Sequence, residues 1–544
     1  MLRTFRRTGS VVALVLALIV ALTIATAPTA SAAGATSVSV GLDHACAVTV
    51  SGGVRCWGDN KNGELGNGST TPDDTPVDVV GLSGVVAVSA GANTTCALTG
   101  SGSTWCWGQG GHVGDGTSTD RTTPAMPVGL ESGVASISVG WAHACALMDD
   151  ATVRCWGSNS QGSLGDGTTS ASLVPITVPG LADVAAISAG GVHTCARSSA
   201  GAVTCWGYNA YGQVGNGSSV PAPGGVLSPT EVVGLGSGVA SIAAGGYHTC
   251  AMLDDGRAVC WGQNAAGQLG DATTTNRLEP TPVQASAGRY ASLAPGEYHT
   301  CALTTSGGTE CWGDNDTGAL GTGDTGDRNV PTPRVGASTG TVAVEAGRWA
   351  TCRIDTAGRT TCSGWNAFGQ LGNGSTSTVV SLERPVAWFA PSFSTSCSGL
   401  QCTFTDRSFD PDAEIAGLAW SFGDGGSASG ATASRTYVAA GTYIVELAAR
   451  DAFGATVHVS QPVTVAAWNL RASLSKVKNV TTASLTWDRS ATASASVDVF
   501  RNGTRVATAP NTGAFSQTVT RGSWSYVVCP VGDGRCSNAT TVKV

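Results

Sequence analysis

The sequence predicts an all-β chain whose larger, N-terminal part is a sevenfold repeat closed into a β-propeller, with further strand-rich modules behind it. Three observations carry this. Fourteen of the 18 cysteines form seven pairs, each ten positions apart, and successive pairs lie 49 to 55 residues apart. A period of that length marks a propeller, solenoid or array. Within each period, short alternating apolar runs are separated by glycine and proline, the pattern of strands and turns. Composition agrees: charged residues make up 12% of the chain, glycine supplies 75 of 544 residues, and lysine occurs only at Lys61, Lys476, Lys478 and Lys543. Strong helix formers are therefore scarce.

The chain begins as a signal peptide does, over residues 1–32. Arg3, Arg6 and Arg7 give a basic start, residues 11–24 are apolar, and Ala30-Ser31-Ala32 is a small-residue cleavage site. An uncleaved anchor is the alternative, but the apolar run is short for a spanning helix. Arg6-Arg7 hints at twin-arginine export, though the flanking residues match that signal poorly. The expectation is a secreted, extracellular protein with no stable membrane insertion after cleavage, in a compartment where disulfides persist. The low lysine content suggests a high-GC bacterial source.

The repeat occupies residues 34–389. Its pairs are Cys46 with Cys56, Cys96 with Cys106, Cys145 with Cys155, Cys195 with Cys205, Cys250 with Cys260, Cys301 with Cys311, and Cys352 with Cys362. Ahead of each pair stands an alternating run ending in glycine, such as Val239-Ala-Ser-Ile-Ala-Ala-Gly245. Six residues past the first cysteine is a glycine (Gly52, Gly102, Gly201, Gly256, Gly307, Gly358), with Ala151 the exception. Glycine there supplies the positive φ of a hairpin turn. Cysteines flanking such a turn sit opposite each other at ~4.5–5.5 Å between Cα atoms, within disulfide reach. A zinc reading fits poorly, because nine intervening residues is not a zinc spacing. A Pro-x-x-Val run closes each unit as a fourth strand. Four strands cannot bury both faces alone, so the units pack face to face around an axis.

The motifs Gly-x-x-His-Thr-Cys-Ala (from Gly245) and Cys-Trp-Gly-x-Asn-x-x-Gly-x-Leu-Gly (from Cys260) resemble the regulator of chromosome condensation repeat family over about residues 36–388. That resemblance implies a seven-bladed propeller. The family's usual hairpin lacks paired cysteines, which here look like an adaptation to an oxidising compartment. Repeat two departs with Thr94 for His, and repeat seven with Ala350 for His and Cys362-Ser-Gly-Trp365. Ring closure is expected to pair the Pro385-Val386 strand with the first strand near residues 38–40. The family's nucleotide-exchange and chromatin activities are not carried over. The export signal removes the small GTPase, and a net charge of −8 without a basic stripe excludes phosphate-driven nucleic-acid binding.

His44, His143, His193, His248 and His299 recur at one repeat position. Their even spread predicts hydrogen bonding of each blade's own turn rather than convergence on a metal. Trp57, Trp107, Trp156, Trp206, Trp261 and Trp312 follow the second cysteines and are expected to pack between blades. Aromatics at irregular positions are better ligand candidates: Trp141, Tyr247, Tyr298 and Trp349, with Arg348 and Glu297 beside them. Aromatic and Arg side chains are typical interface anchors. Blade connections such as residues 218–229 and 322–333 vary most, so one face built from blades three and five to seven is the expected binding surface. No catalytic motif is present. Asp149, Asp150, Asp254 and Asp255 fall in hairpin turns, where aspartate suits turn geometry.

From about residue 390 the period stops. Trp420-Ser-Phe-Gly-Asp-Gly425, Arg435-Thr-Tyr437, Gly441-Thr-Tyr443 and Arg450-Asp-Ala-Phe-Gly454 closely resemble a PKD domain, implying a β-sandwich over 391–466. The resemblance also suggests calcium at Asp410, Asp412 and Asp451, whose hard oxygens suit that ion; turn capping without metal is the alternative. Residues 467–544 hold another strand series with an Asn502-Gly503 hairpin and resemble a fibronectin type III-like sandwich. Cys397 with Cys402 and Cys529 with Cys536 are the local pairs left. The functional expectation is a non-catalytic recognition or adhesion protein that binds an extracellular protein or surface polysaccharide. The alternative is an extracellular enzyme with its site at the propeller axis.

Overall fold

A computed structural model describes residues 35–544 except 285–288, 390, 409–414, 452–455, 466–469, 478–479, 488–495, 532–535 and 538. The signal-peptide reading lies outside the described residues. Every element described is a strand. Seven four-stranded antiparallel sheets follow one another. Blade 1 runs from Ala35–Val40 through His44–Thr49 and Val54–Gly58 to Asp73–Asp78. Blades 2 to 7 open on Val85–Ala90, Val134–Val139, Val184–Ala189, Val239–Ala244, Tyr290–Pro295 and Thr341–Ala346. Blade 7 ends on Val379–Pro385.

Within each blade the two cysteines stand directly opposite each other across the central hairpin. Blades 1 to 4 pair Cys46 with Cys56, Cys96 with Cys106, Cys145 with Cys155 and Cys195 with Cys205. Blades 5 to 7 pair Cys250 with Cys260, Cys301 with Cys311 and Cys352 with Cys362. All seven pairs are bridged, with Cα atoms 4.0–4.1 Å apart. That is closer than the 4.5–5.5 Å read from ordinary opposed strand positions, because each bridge draws the two strands together at one directly opposed pair. No bridge links different blades, and among the described residues no cysteine is free. Ala151 keeps the turn where glycine is missing, with φ of 66°.

Ring closure differs from the expectation. Val379–Pro385 pairs with its own neighbour in blade 7 and not with residues 38–40. Blade 1 is complete from its own segment, so no strand is exchanged. The ring is closed instead by interblade backbone contacts near the axis. Gly41, Gly91, Gly140, Gly190, Gly245, Gly296 and Gly347 form a closed circle in which a methyl added to each would strike the carbonyl oxygen of the next, Gly347 onto Gly41 included. Only glycine permits that approach. Backbone N–H groups just beyond the glycines donate around the same circle, among them Gly246 to Gly296 O (2.9 Å), Glu297 to Gly347 O (3.0 Å) and Arg348 to Gly41 O (3.3 Å).

The blade tryptophans are fully buried, and each indole N–H donates to a carbonyl of the preceding blade. Examples are Trp107 to Glu64 O (2.7 Å) and Trp261 to Gln213 O (2.9 Å); Trp57 to Gln370 O (2.9 Å) bridges blade 7 to blade 1. In blade 7, Ser363 replaces the tryptophan, and Arg334 enters from blade 6, where other blades carry Val79, Val178, Val232 or Val283. Its Nη1 donates to Ala319 O at 2.9 Å, replacing the indole donor, and its Nη2 donates to Ser363 Oγ at 2.9 Å. Glu383 forms ion pairs with both it and Arg353.

The histidines also act differently from the expectation. Each Nε2 reaches the threonine of the next blade rather than its own turn: His44–Thr95, His143–Thr194, His193–Thr249, His248–Thr300 and His299–Thr351, at 2.8–2.9 Å. Thr249 and Thr300 donate their hydroxyls to Gln213 O and Gln268 O, so the histidine supplies the proton and is the Nε2–H tautomer. Three features change together at each junction. Where a blade lacks the histidine (Thr94, Ala350), the next blade has alanine for threonine (Ala144, Ala45) and valine before its ring glycine (Val139, Val40). Those valines approach the space beside Gly91 and Gly347 that imidazole fills elsewhere.

Residues 393–465 form a two-sheet sandwich around Phe393, Phe404, Trp420, Phe422 and Tyr437. Ala387 and Phe389, at the end of the propeller, pack with Ala449 and Val457 of that sandwich. Residues 471–543 form two further sheets. Cys397–Cys402 and Cys529–Cys536 are bridged.

Candidate functional site

The strand-ending glycines and the residues after them surround one axial opening. Its pocket, about 150 Å³, is lined by all seven inner strands and includes Trp141, Glu297, Glu345 and Arg348. At one level of the channel blades 1 to 4 place Ser39, Ser89, Ser138 and Ser188, blades 5 and 6 Ala243 and Ala294, and blade 7 Glu345. The four serine hydroxyls accept the N–H of Ala90, Val139, Ala189 and Ala244 of the next blade. Glu345 has protein on every side yet is reached by solvent along the channel; burial raises its carboxyl from 4.5 to about 7.

Around this opening lies an arc of half-buried aromatic rings. Tyr247 of blade 5 is central: its ring centroid is 5.0 Å from Trp141, 5.6 Å from Tyr211, 6.1 Å from Tyr208 and 6.4 Å from Tyr298. Trp141 lies across the backbone of Gly191 and Gly246, with the side chain of Glu297 beside Gly246. Farther round, the Arg348 guanidinium stacks 3.8 Å over Trp349, which meets Trp365 at 6.0 Å. Glu297 is buried, and its Oε2 stands 3.2 Å from Arg348 Nε without completing a hydrogen bond. Burial raises the Glu297 carboxyl, partly offset by Tyr298 and Arg348. Burial likewise raises Asp43.

The whole arrangement is a ring of like blades with one decorated face. The RCC1-like domain matches residues 110–404, and the regulator of chromosome condensation repeat matches 35–64, 51–98 and 85–112. This chain belongs to the RCC1-like domain family. A PKD domain matches residues 382–467. The chain is 36% identical over 138 residues to the ultraviolet-B receptor UVR8 of Arabidopsis thaliana, covering 25% of this chain and 31% of the receptor. It is 31% identical over 203 residues to the probable E3 ubiquitin-protein ligase HERC4 of Homo sapiens, covering 36% of this chain and 19% of the ligase. The matched segments thus span under a third of either relative. Among solved structures, Prp20p of Saccharomyces cerevisiae aligns at 25% identity with a TM-score of 0.52, over 57% of this chain and 80% of Prp20p.

On the RCC1-like propeller, Trp141, Tyr247 and Tyr298 meet in one arc, while Arg348 and Trp349 form a second group joined to it through Glu297. Sequence reasoning left out blade 4, whose Tyr208 and Tyr211 complete the arc. The available signal was the residue after Cys-Trp-Gly, which varies among Asp59, Gln109, Ser158, Tyr208, Gln263, Asp314 and Trp365. The five histidines hold separate interblade bonds, so they do not converge. Asp410 and Asp412 lie outside the described residues; Asp451 is buried at the end of strand Gly441–Asp451. Among the described residues no group of three His, Cys, Asp or Glu side chains is placed to hold a metal. Among them, too, no helix is long and apolar enough to cross a membrane.

Proposed function

We propose that the protein is a secreted, non-catalytic recognition or adhesion protein whose aromatic propeller face binds an extracellular protein or surface polymer. The observation that carries this is the unbroken arc Trp141–Tyr208–Tyr211–Tyr247–Tyr298 beside Arg348 and Trp349. Large half-buried rings present contact area at low entropic cost and are enriched among binding anchors. Nine disulfides suit an oxidising compartment, and the structural neighbour Prp20p is described by its binding to Gsp1p and histones, a family precedent for partner binding. The C-terminal sandwiches, the last of them fibronectin type III-like, serve as spacers. A calcium ion at Asp410, Asp412 and Asp451 belongs to the same proposal; a rise in the sandwich's melting temperature with calcium, reversed by chelator, tests it. Pull-down with the mature protein identifies the partner. Tyr298→Ala and Trp349→Ala should each weaken capture while lowering the melting temperature only slightly. A sharp loss of stability, with binding lost only through unfolding, would place these rings in the core.

The enzyme reading keeps one supporting observation: Glu297 and Glu345 face a polar axial pocket from different blades, and a carboxyl near 7 suits a general acid. Turnover of a polysaccharide, peptide or ester abolished by Glu345→Gln would establish it over simple recognition.

A further inference from the structure

Among the seven inner strands, blade 7 alone places a charge at the level where the others carry serine or alanine. The serine hydroxyls there are engaged by neighbouring N–H groups. Arg348, which also lines the pocket, is committed elsewhere: it pairs with Glu297 and stacks on Trp349. Among the described residues none is ion-paired with Glu345, whose carboxyl faces the channel. Glu297, which lines the same pocket, has its Oε2 buried without a hydrogen bond but is already matched by Arg348 at 3.2 Å. Two carboxylates against one arginine in the lining disfavour an anion. Trp141 supplies an indole at the same rim, the ring with the strongest attraction for a cation. A pocket of about 150 Å³ admits the end of one side chain, not a folded segment.

We propose that this axial pocket receives a primary ammonium group of the bound partner, held by Glu345 and by the Trp141 ring. The inference rests on the recognition role of the face and names what its centre selects. A lysine side chain and an amino sugar carry the same chemistry. In either case the ammonium supplies the counter-charge that Glu345 lacks.

The test uses the mature full-length protein, with tryptophan fluorescence and calorimetry. The probes are Nα-acetyl-lysine amide and glucosamine, with Nα-acetyl-norleucine amide and N-acetylglucosamine as neutral counterparts. At least one ammonium probe should bind at least tenfold more tightly than its neutral counterpart. Glu345→Gln and Trp141→Leu should each lower that affinity at least tenfold, while Asp255→Asn, in a hairpin turn outside the pocket, leaves it unchanged. Binding of lysine amide alone points to a protein partner, and of glucosamine alone to a polysaccharide; both support the proposal. Equal binding of charged and neutral probes, no binding of either ammonium probe, or full affinity in Glu345→Gln overturns it. Macromolecular capture that is lost in Trp349→Ala but intact in Glu345→Gln overturns this inference and leaves the face reading standing. Ammonium binding without any captured macromolecule does the reverse.

Discussion

Replacing His193 by alanine removes one interblade bond and empties an imidazole-sized space between blades 4 and 5. His193 is fully buried, and its Nε2 lies 2.8 Å from Thr249 Oγ1. The lost hydrogen bond is worth about 1 kcal/mol net. The vacated volume adds about 2 kcal/mol, toward the low end for large-to-small core changes because imidazole is smaller than benzyl. A loss of about 3 kcal/mol is expected for His193→Ala. The blade 7 to blade 1 junction shows how to recover it, since there Ala350, Ala45 and Val40 do without the bond. Adding Thr249→Ala and Ala244→Val should restore most of the loss, to within about 1 kcal/mol of the parent. Gln213 O would stay satisfied, because Trp261 Nε1 also donates to it. Guanidinium denaturation with disulfides intact, followed through the buried propeller tryptophans, measures both steps. If the triple variant is as unstable as His193→Ala alone, the three positions are not exchanging one packing solution for another, and the reasoning fails.

Three other outcomes follow from the same geometry. Ala151 holds φ of 66° in a turn where the other blades use glycine, so Ala151→Gly should raise stability by about 0.5–1 kcal/mol, read as a higher denaturation midpoint. Arg334→Val alone should cost about 3 kcal/mol by stripping a buried partner from Glu383, and adding Ser363→Trp should recover much of it by recreating the usual Val–Trp junction, measured by calorimetry. Burial lowers His44 and His143 from 6.5 to about 4, and His193, His248 and His299 to about 3. The unfolded chain therefore takes up protons first as pH falls. The stability of the neutral histidines is complete above 6.5 and is lost between 6.5 and about 4, by about 3 kcal/mol for each of His44 and His143. Burial raises Glu345 to about 7 and Asp314 to about 6, and raises Glu297 and Asp43 as well, so these carboxyls oppose the fall over the upper part of that range, but five histidines act against them. Melting temperature measured from pH 7.5 to 4 should fall steeply below 6; a flat profile would contradict neutral burial of the imidazoles.

The repeat was legible because each blade restates the same local instructions. A turn glycine, a Cys pair ten apart and an alternating strand are short-range features, and a hairpin obeys them whatever lies beyond it. Even the histidine–threonine–alanine exchange at each junction was written in the chain, but only as a correlation between neighbouring repeats. The tertiary structure alone decided what the inner ends of the seven blades put together. Residues 39 or more positions apart become neighbours around an axis, so Trp141, Tyr208, Tyr247 and Tyr298 form one surface although no local pattern links them. Closure was decided in the same way. A strand exchange and a self-contained blade satisfy the same alternation, and only the face-to-face fit of blade 7 on blade 1, with Gly347 against Gly41, selects between them. Glu345 is the clearest case. In its strand it occupies one position of an alternating run, and it comes to face the axial channel, with only the channel's water to solvate its charge, because six other strands close around it.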